Sequence, residues 1–544
     1  MLNRNLPPVP VSTFSMVPRS DVPRSTFVSK SGYKTTFSAA QLIPFFVEEV
    51  LPGDTFKGKL TFFLRMATPL WPVMDNLYFE TFYFYVPNRI VWTNWQKMMG
   101  QQDAPGDSIS YTVPQVQATL ATGFAQFGVA DFFGLPVTGT QVTVAPLVNA
   151  LPFRMYAMIY NEWFRDENLS APIVYSTGDA TQNESVFPLQ VRKKRPDYFT
   201  SALPWPLKGG VSVPLPMAGN AVVKTGAAAF TGAQAALALR DVTTGNPLGA
   251  VQLGTLNAPA GQLSYGAAFV GGVNGAYPSN LYADLSTATG ATINAMRLAV
   301  ASQQFLEKDA RGGTRYAELL RMHFGVTPQD ARLDRPEYIG GGSSMLHTQA
   351  IPQTAPSASP AGVVGQLAGA TVGNGSHNFG YAASEHGFII GILNVRADIT
   401  YMQGIHRSWT RLTRFDYYWP TFAFLGEQII RQDEIYATGV VATDTAAFGY
   451  QERWSEYRYR PSRITGKFRS LISGTLDAWH LAESFTAAPA LNAAFMDDKT
   501  YASVKRAVAA GAAADNQQFL FDSVLDLSAT RAMPSRSVPG LLRF

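Results

Sequence analysis

The chain has 544 residues, of which 46% are hydrophobic and 12% aromatic but only 15% charged, against a usual charged share of about 25%. Its 43 cations and 39 acids would be spread thinly over the roughly 19,000 Å² that a compact monomer of this length exposes. Such a surface is a solubility liability for a lone monomer and suits a subunit that hides its apolar faces against neighbours, since interface cores are poor in charge and rich in aromatics. The absence of cysteine excludes disulfides and thiolate metal sites. No apolar run approaches the ~18 residues of a membrane span, so no membrane insertion is expected. Prolines interrupt the N-terminal stretch where a signal peptide needs a continuous apolar run, which points to a cytosol-like compartment.

Residues 1–44 read as a basic, Pro-rich arm. Within 1–36, Arg4, Arg19, Arg24, Lys30 and Lys34 stand against Asp21, an excess equal to the whole net charge of +4. Arms of this composition do not fold alone and become ordered along a partner. The first strand signal is at 56–66, where Phe56, Leu60, Phe62, Leu64 and Met66 share one parity and Lys57, Lys59, Thr61 and Arg65 the other. Residues 78–86 (YFETFYFYV) are aromatic on both parities and predict a strand covered on both faces. A helix is predicted over 152–166, with Pro152 at its start and Phe153, Tyr156, Tyr160, Trp163 and Phe164 as its apolar stripe. Further helices are predicted over 292–311 and 315–324, and strands over 387–399 and 417–425. Many strands, long connections and few helices predict a mainly β, antiparallel sandwich rather than alternating βαβ units.

Residues 209–290 stand apart. Only Lys224, Arg240, Asp241 and Asp284 are charged there, among Gly, Ala, Thr and Val. Disordered linkers are usually polar or highly charged, so this stretch reads as an ordered insertion that packs against something, such as copies of itself; the alternative is a flexible Gly/Ala-rich loop. The Gly/Ser-rich stretch 340–380 reads as more mobile. The resulting scheme is an arm (1–44), a discontinuous β domain (45–208 and 291–544) and an insertion (209–290).

The search for catalytic chemistry comes back nearly empty. None of the six histidines has the spacing of a zinc helix, and there is no phosphate-cradling loop or nucleophile elbow. The Gly373–Gly375 stretch reads as a loop with no helix pattern behind it, and Asp497 and Asp498 as solvated acids. No metal, cofactor or catalytic residue is expected. A hydrolase with acids scattered in sequence stays open as the competing class. Two basic clusters are more informative. One is Arg192, Lys193, Lys194 and Arg195. The other, residues 453–469, has six cations, Arg458, Arg460 and Arg463 among them, interleaved with Trp454, Tyr457, Tyr459 and Phe468. Cations that track phosphates beside rings that stack on bases suit a single-strand surface. Cross-strand pairing at a subunit contact is the equally open reading. Arg4, Arg19 and Arg24 of the arm join the nucleic-acid candidates.

Several of these segments resemble one family. Residues 51–100, PDYFTSALPWPLKG at 196–209, RPEYIGG at 335–341, GIHRSWTRLTRFDYYWPTFAFLGEQ at 404–428 and residues 452–469 are similar to the major capsid proteins of microviruses, gokushovirus-like members in particular. The resemblance covers roughly 37–208 and 293–500. It implies an eight-stranded antiparallel jelly roll with long inter-strand insertions, forming pentamers and then a T=1 icosahedral shell around circular single-stranded DNA. The 209–290 insertion sits where such members carry a three-fold surface protrusion implicated in attachment to a host receptor. The implied partners are an internal scaffolding protein and, because a net +4 per subunit cannot neutralise a genome, a small basic DNA-packing protein or counterions. The implied location is the virion, with assembly in the bacterial host cytoplasm. A jelly-roll carbohydrate-binding protein or glycosidase is the rival from another class; the capsid reading predicts no deep acid-paired cleft.

Overall fold

The computed structural model describes residues 23–120, 122–139, 144, 146–210, 213–214, 292–354, 364–365, 367–508 and 517–536, with four short strand segments between 222 and 284. Expectations for Arg4 and Arg19, and for most of the 209–290 insertion, fall outside the described residues. Backbone contacts divide the chain into a large unit, residues 1–206 and 310–544, and a small one, residues 207–309. In the small unit, Val222–Thr225 pairs antiparallel with Leu281–Asp284, and Leu239–Asp241 with Ala276–Pro278.

The large unit is built on eight strands: β1 (Ser25–Phe37), β2 (Ile43–Val50), β3 (Thr55–Met66), β4 (Leu77–Pro87), β5 (Glu337–Pro352), β6 (Leu367–Ala382), β7 (Gly387–Ala397) and β8 (Phe519–Arg531). They are hydrogen-bonded in the order β1-β8-β3-β6-β5-β4-β7-β2, and every pairing is antiparallel. The halves β1-β8-β3-β6 and β2-β7-β4-β5 are the two sheets of a jelly roll, coupled by the β5–β6 hairpin. β3 alternates without a fault, with Phe56, Leu60, Phe62, Leu64 and Met66 buried and Lys57, Lys59, Thr61 and Arg65 exposed. The inner faces enclose an aromatic core that includes Phe37, Phe45, Phe62, Phe79, Tyr83 and Phe521.

β4 is covered on both faces because a second core lies outside it. The helix α1 (Leu151–Ile159) continues as a π turn through Phe164. Its Phe153, Tyr156 and Tyr160 are buried with Phe84 and Val86 of β4 and Ile390 and Ile392 of β7. Trp163 and Phe164 pack on Phe84 at 5.4 and 6.0 Å between ring centroids. The helices predicted at 292–311 and 315–324 form as Ile293–Arg311 and Tyr316–Phe324.

Three expectations are corrected. Residues 25–44 are not arm: β1 pairs with β8 over its whole length, and Lys30 and Lys34 meet Asp526 and Asp522 at 3.1 and 3.2 Å. Those acids lie some five hundred residues downstream, beyond the reach of a local reading. Residues 340–352 and 367–380 are not loop but most of β5 and β6, and Gly373–Gly375 lies mid-strand in β6. The glycines there make room for neighbours. A Cβ on Gly341, at φ +154°, would stand 2.1 Å from the Thr81 carbonyl oxygen of β4. One on Gly58 of β3 would stand 2.1 Å from the Phe379 ring, which itself stacks on Tyr83 at 4.2 Å. Gly341→Ala is expected to cost about 1–3 kcal/mol, since backbone cannot yield as a side-chain tip can; the urea midpoint measures it. Third, residues 417–425 form no strand but turns, including Pro420–Phe422.

Candidate assembly surface and nucleic-acid interface

The first basic cluster is stitched into the fold by its backbone. Arg192 N donates to Ala40 O at 2.8 Å and Lys194 N to Met496 O at 2.9 Å. All four side chains are then closed by acids of the same unit. Arg192 pairs with Glu80 of β4 and lies over the Phe82 ring at 4.7 Å. Lys193 meets Asp497 at 2.5 Å. Lys194, buried, meets Glu483 at 2.5 Å with its ammonium 4.0 Å above the Phe495 ring. Arg195 reaches Asp398 at 2.6 Å and Glu80 at 3.3 Å, and Arg396 of β7 reaches Glu80 at 3.1 Å.

Three guanidinium groups therefore converge on one carboxylate. Burial pushes the Glu80 carboxyl up, but Arg192, Arg396 and Arg195 together outweigh it and hold it below the usual range. Burial pushes the Arg192 guanidinium down to about 10. It also dominates at Lys194, which is lowered, and at Glu483, which is raised. The phosphate-binding reading of Arg192, Lys193, Lys194 and Arg195 is thus corrected: their charge is matched inside the chain, and pulling a cation away would leave its acid partner without a counter-charge. Asp497 and Asp498 are corrected with them. Asp497 is the partner of Lys193, and Asp498 is buried, accepting from Thr500 N at 2.8 Å. Among the described residues no cluster of acids and histidines could hold a metal ion.

The second cluster is different. Arg458 is paired with Glu452 at 2.5 Å but stays open to solvent. Arg460, Arg463, Lys467 and Arg469 are exposed, and none of them forms an ion pair among the described residues. Trp454 is buried and unavailable for stacking. Tyr459 already stacks on Tyr198 at 5.1 Å. Arg463 and Arg469 edge a cavity of about 480 Å³ that also reaches Trp409, Glu434 and Glu456. Both glutamates are nearly buried at its wall. Each is closed by an arginine, Glu434 by Arg407 at 3.0 Å and Glu456 by Arg411 at 2.8 Å. The remaining arm candidate, Arg24, donates to the Gly53 carbonyl.

The feature that sequence reasoning misplaced, residues 417–425, belongs to a longer loop over 405–425. Every residue from 412 to 421 is exposed, among them Leu412, Phe415, Tyr417, Tyr418 and Trp419. This loop is held by its own polar contacts. Asp416 accepts from Leu412 N at 3.0 Å and Thr413 N at 2.7 Å. Trp419 Nε1 donates to Arg414 O at 2.8 Å, and Trp454 Nε1 to Phe422 O at 2.9 Å. Arg411 lies 4.3 Å over the Tyr457 ring. The loop thus holds its apolar side chains in solvent in a fixed arrangement.

The sequence profile of the capsid protein (F protein) family matches residues 15–541. The chain belongs to this family of phage capsid proteins. Similar capsid proteins, each called VP1, come from Bdellovibrio phage phiMH2K (43% identical over 507 residues, 90% of each chain), Chlamydia phage 1 (38% over 605 aligned positions, 99% of each) and Spiroplasma virus 4 (35% over 561, 98% of each). The protein is a microvirus major capsid protein, a member of a structural rather than an enzyme family. As a shell subunit of the virion it is oligomeric. Among the described residues no helix is long and apolar enough to cross a membrane.

Proposed function

We propose that this capsid protein builds a T=1 icosahedral shell around circular single-stranded DNA, with the 405–425 loop as a principal contact between subunits. The observation that carries the proposal is that loop: ten consecutive exposed residues, apolar in the main, pre-ordered by hydrogen bonds within the loop. Pre-ordering spares the entropy that a mobile loop would lose on docking, and closed symmetry then covers the loop on every copy. Pentamers form first, with an internal scaffolding protein, in the cytoplasm of the bacterial host. The exposed cations Arg460, Arg463, Lys467 and Arg469 face the genome, helped by Arg4 and Arg19 of the N-terminal arm and by a small basic packing protein. The 209–290 insertion forms three-fold protrusions that meet a host surface receptor; its scarcity of charge fits three copies packed together.

Electron microscopy and sedimentation of the expressed chain, with and without its scaffolding partner, test the shell. Closed particles of T=1 size are expected, and a monomer that stays monomeric under every condition would end the proposal. Replacing residues 209–290 by a short Gly/Ser linker is expected to leave particle formation intact and abolish binding to host cells; binding at the original level would remove the protrusion from the attachment role.

A further inference from the structure

The outer face of β3 carries more than a solvated surface needs. Lys57, Lys59, Thr61, Phe63 and Arg65 alternate along it, all exposed, at about 6.7 Å per step. Cations on an edge strand discourage pairing with other chains, but β3 is paired on both sides, with β8 and with β6. Lys57, Lys59 and Arg65 form no ion pair among the described residues. The carboxylates of this face, Asp522 and Asp526, are turned to Lys34 and Lys30 of β1, so the face holds five cations against two acids. Neutral hydrogen-bonding groups continue it on β6, where Asn374, Ser376 and Asn378 are exposed beside Phe63, Thr61 and Lys59.

An aromatic site opens at one end of this row. Phe63, 38% exposed, lies under the Arg65 guanidinium at 4.6 Å. Facing it across a cavity of about 600 Å³ is Phe127, 43% exposed although apolar. Phe127 holds φ at +57°, a left-handed conformation that costs a bulky residue of order 1 kcal/mol or more. Its N–H donates to Asp131 Oδ2 at 2.8 Å, which turns that acid onto its own loop.

We infer that the β3 face is a second, unassigned binding site for single-stranded nucleic acid. Lys57, Lys59 and Arg65 track the phosphates, and the Phe63–Arg65 stack with Phe127 holds a base. Charge decides between occupants. The excess of three cations, Lys57, Lys59 and Arg65, repels a basic packing protein and attracts a polyanion, while exposed rings beside cations are what sequence-tolerant base stacking uses. This inference rests on the packaging of single-stranded DNA proposed above.

The test is binding of the full chain to an oligothymidylate and to an abasic strand of the same length, across a salt series. The triple variant Lys57→Gln, Lys59→Gln, Arg65→Gln is expected to lower the log–log salt slope for both strands by about 2, at roughly 0.7 per phosphate contact. Phe63→Leu is expected to weaken oligothymidylate binding about fivefold or more, the lower end for one stacked base, and to leave the abasic strand unaffected. All four positions are exposed, so thermal unfolding of the variants should match the parent. If the parent binds neither strand, the packaging reading itself fails. If the parent binds and the triple variant keeps its slope, only the β3 site is overturned. Variants that keep the slope but lose assembly would give this face to an acidic surface of a neighbouring copy, and also overturn it.

Discussion

Glu80→Gln is expected to destabilise the folded chain by about 3–5 kcal/mol, the range for removing one partner from a buried ion pair. Glu80 is a single carboxylate shared by Arg192, Arg195 and Arg396. Glutamine keeps the volume and one acceptor but leaves three guanidinium groups close together with no counter-charge between them. These arginines join β4 and β7 to the 192–195 segment, so the loss reaches β4 and β7, in the β2-β7-β4-β5 half of the jelly roll, and the segment packed on it. Urea unfolding of the unassembled subunit measures the effect; a loss under about 1 kcal/mol would mean that the cluster is solvated and its pairing worth little.

The pH dependence of that difference has a definite sign. The folded Glu80 carboxyl lies below its ordinary value, so its contribution is fully present above the unfolded value of about 4.3 and is lost as pH falls through the lower folded one. The gap between parent and Glu80→Gln should therefore be flat above about pH 5 and narrow in more acid solution. Glu483 and Asp498 run the other way. Burial raises both, so their contribution is present when they are protonated and is lost as pH rises through their raised values. Comparing parent and variant at each pH cancels them.

The second large effect is expected in assembly rather than in folding. Trp409, Leu412 and Phe424 are 77%, 90% and 99% exposed, so truncating them removes little from the isolated subunit. At an interface, buried aromatic anchors lose about 2 kcal/mol or more on replacement by alanine, close to 30-fold in affinity for each contact. Because every copy presents the same loop, Trp409→Ala combined with Phe424→Ala is expected to raise the critical concentration for particle formation well beyond 30-fold while leaving the unfolding midpoint unchanged. Light scattering over a concentration series reads it. Assembly at the parental concentration would remove the loop from the subunit interface.

Strand reading succeeded where burial alternates or is total. β3 and β4 carry their environment in their own residues: one apolar parity against a wet face, and two apolar parities against two cores. α1 was legible for the same reason at helical spacing. β5 and β6 were not, because their glycines are selected by what lies opposite. Gly341 of β5 is set by the Thr81 backbone of β4, and Gly342 by the His377 ring of β6, and neither neighbour is near in sequence. The 417–425 segment misled in the opposite sense. Its aromatics look like a strand, but they stand exposed in a run of turns, where no cross-strand partner orders them.

What the sequence determined by itself was the kind of molecule. Scarce charge, abundant aromatics, the absence of cysteine and the proline-punctuated aromatic motifs are properties of composition and local order, and they pointed to a β-rich shell subunit before any contact was known. Only the tertiary structure decided what each charge does. Arg192 to Arg195 and Lys57, Lys59 and Arg65 are alike as residue types. The first group is neutralised by Glu80, Asp398, Glu483 and Asp497, while the second stands on a sheet face whose acids are turned to other lysines. Counter-ions are chosen by proximity in space, and electrostatic energy falls with distance and dielectric rather than with separation along the chain.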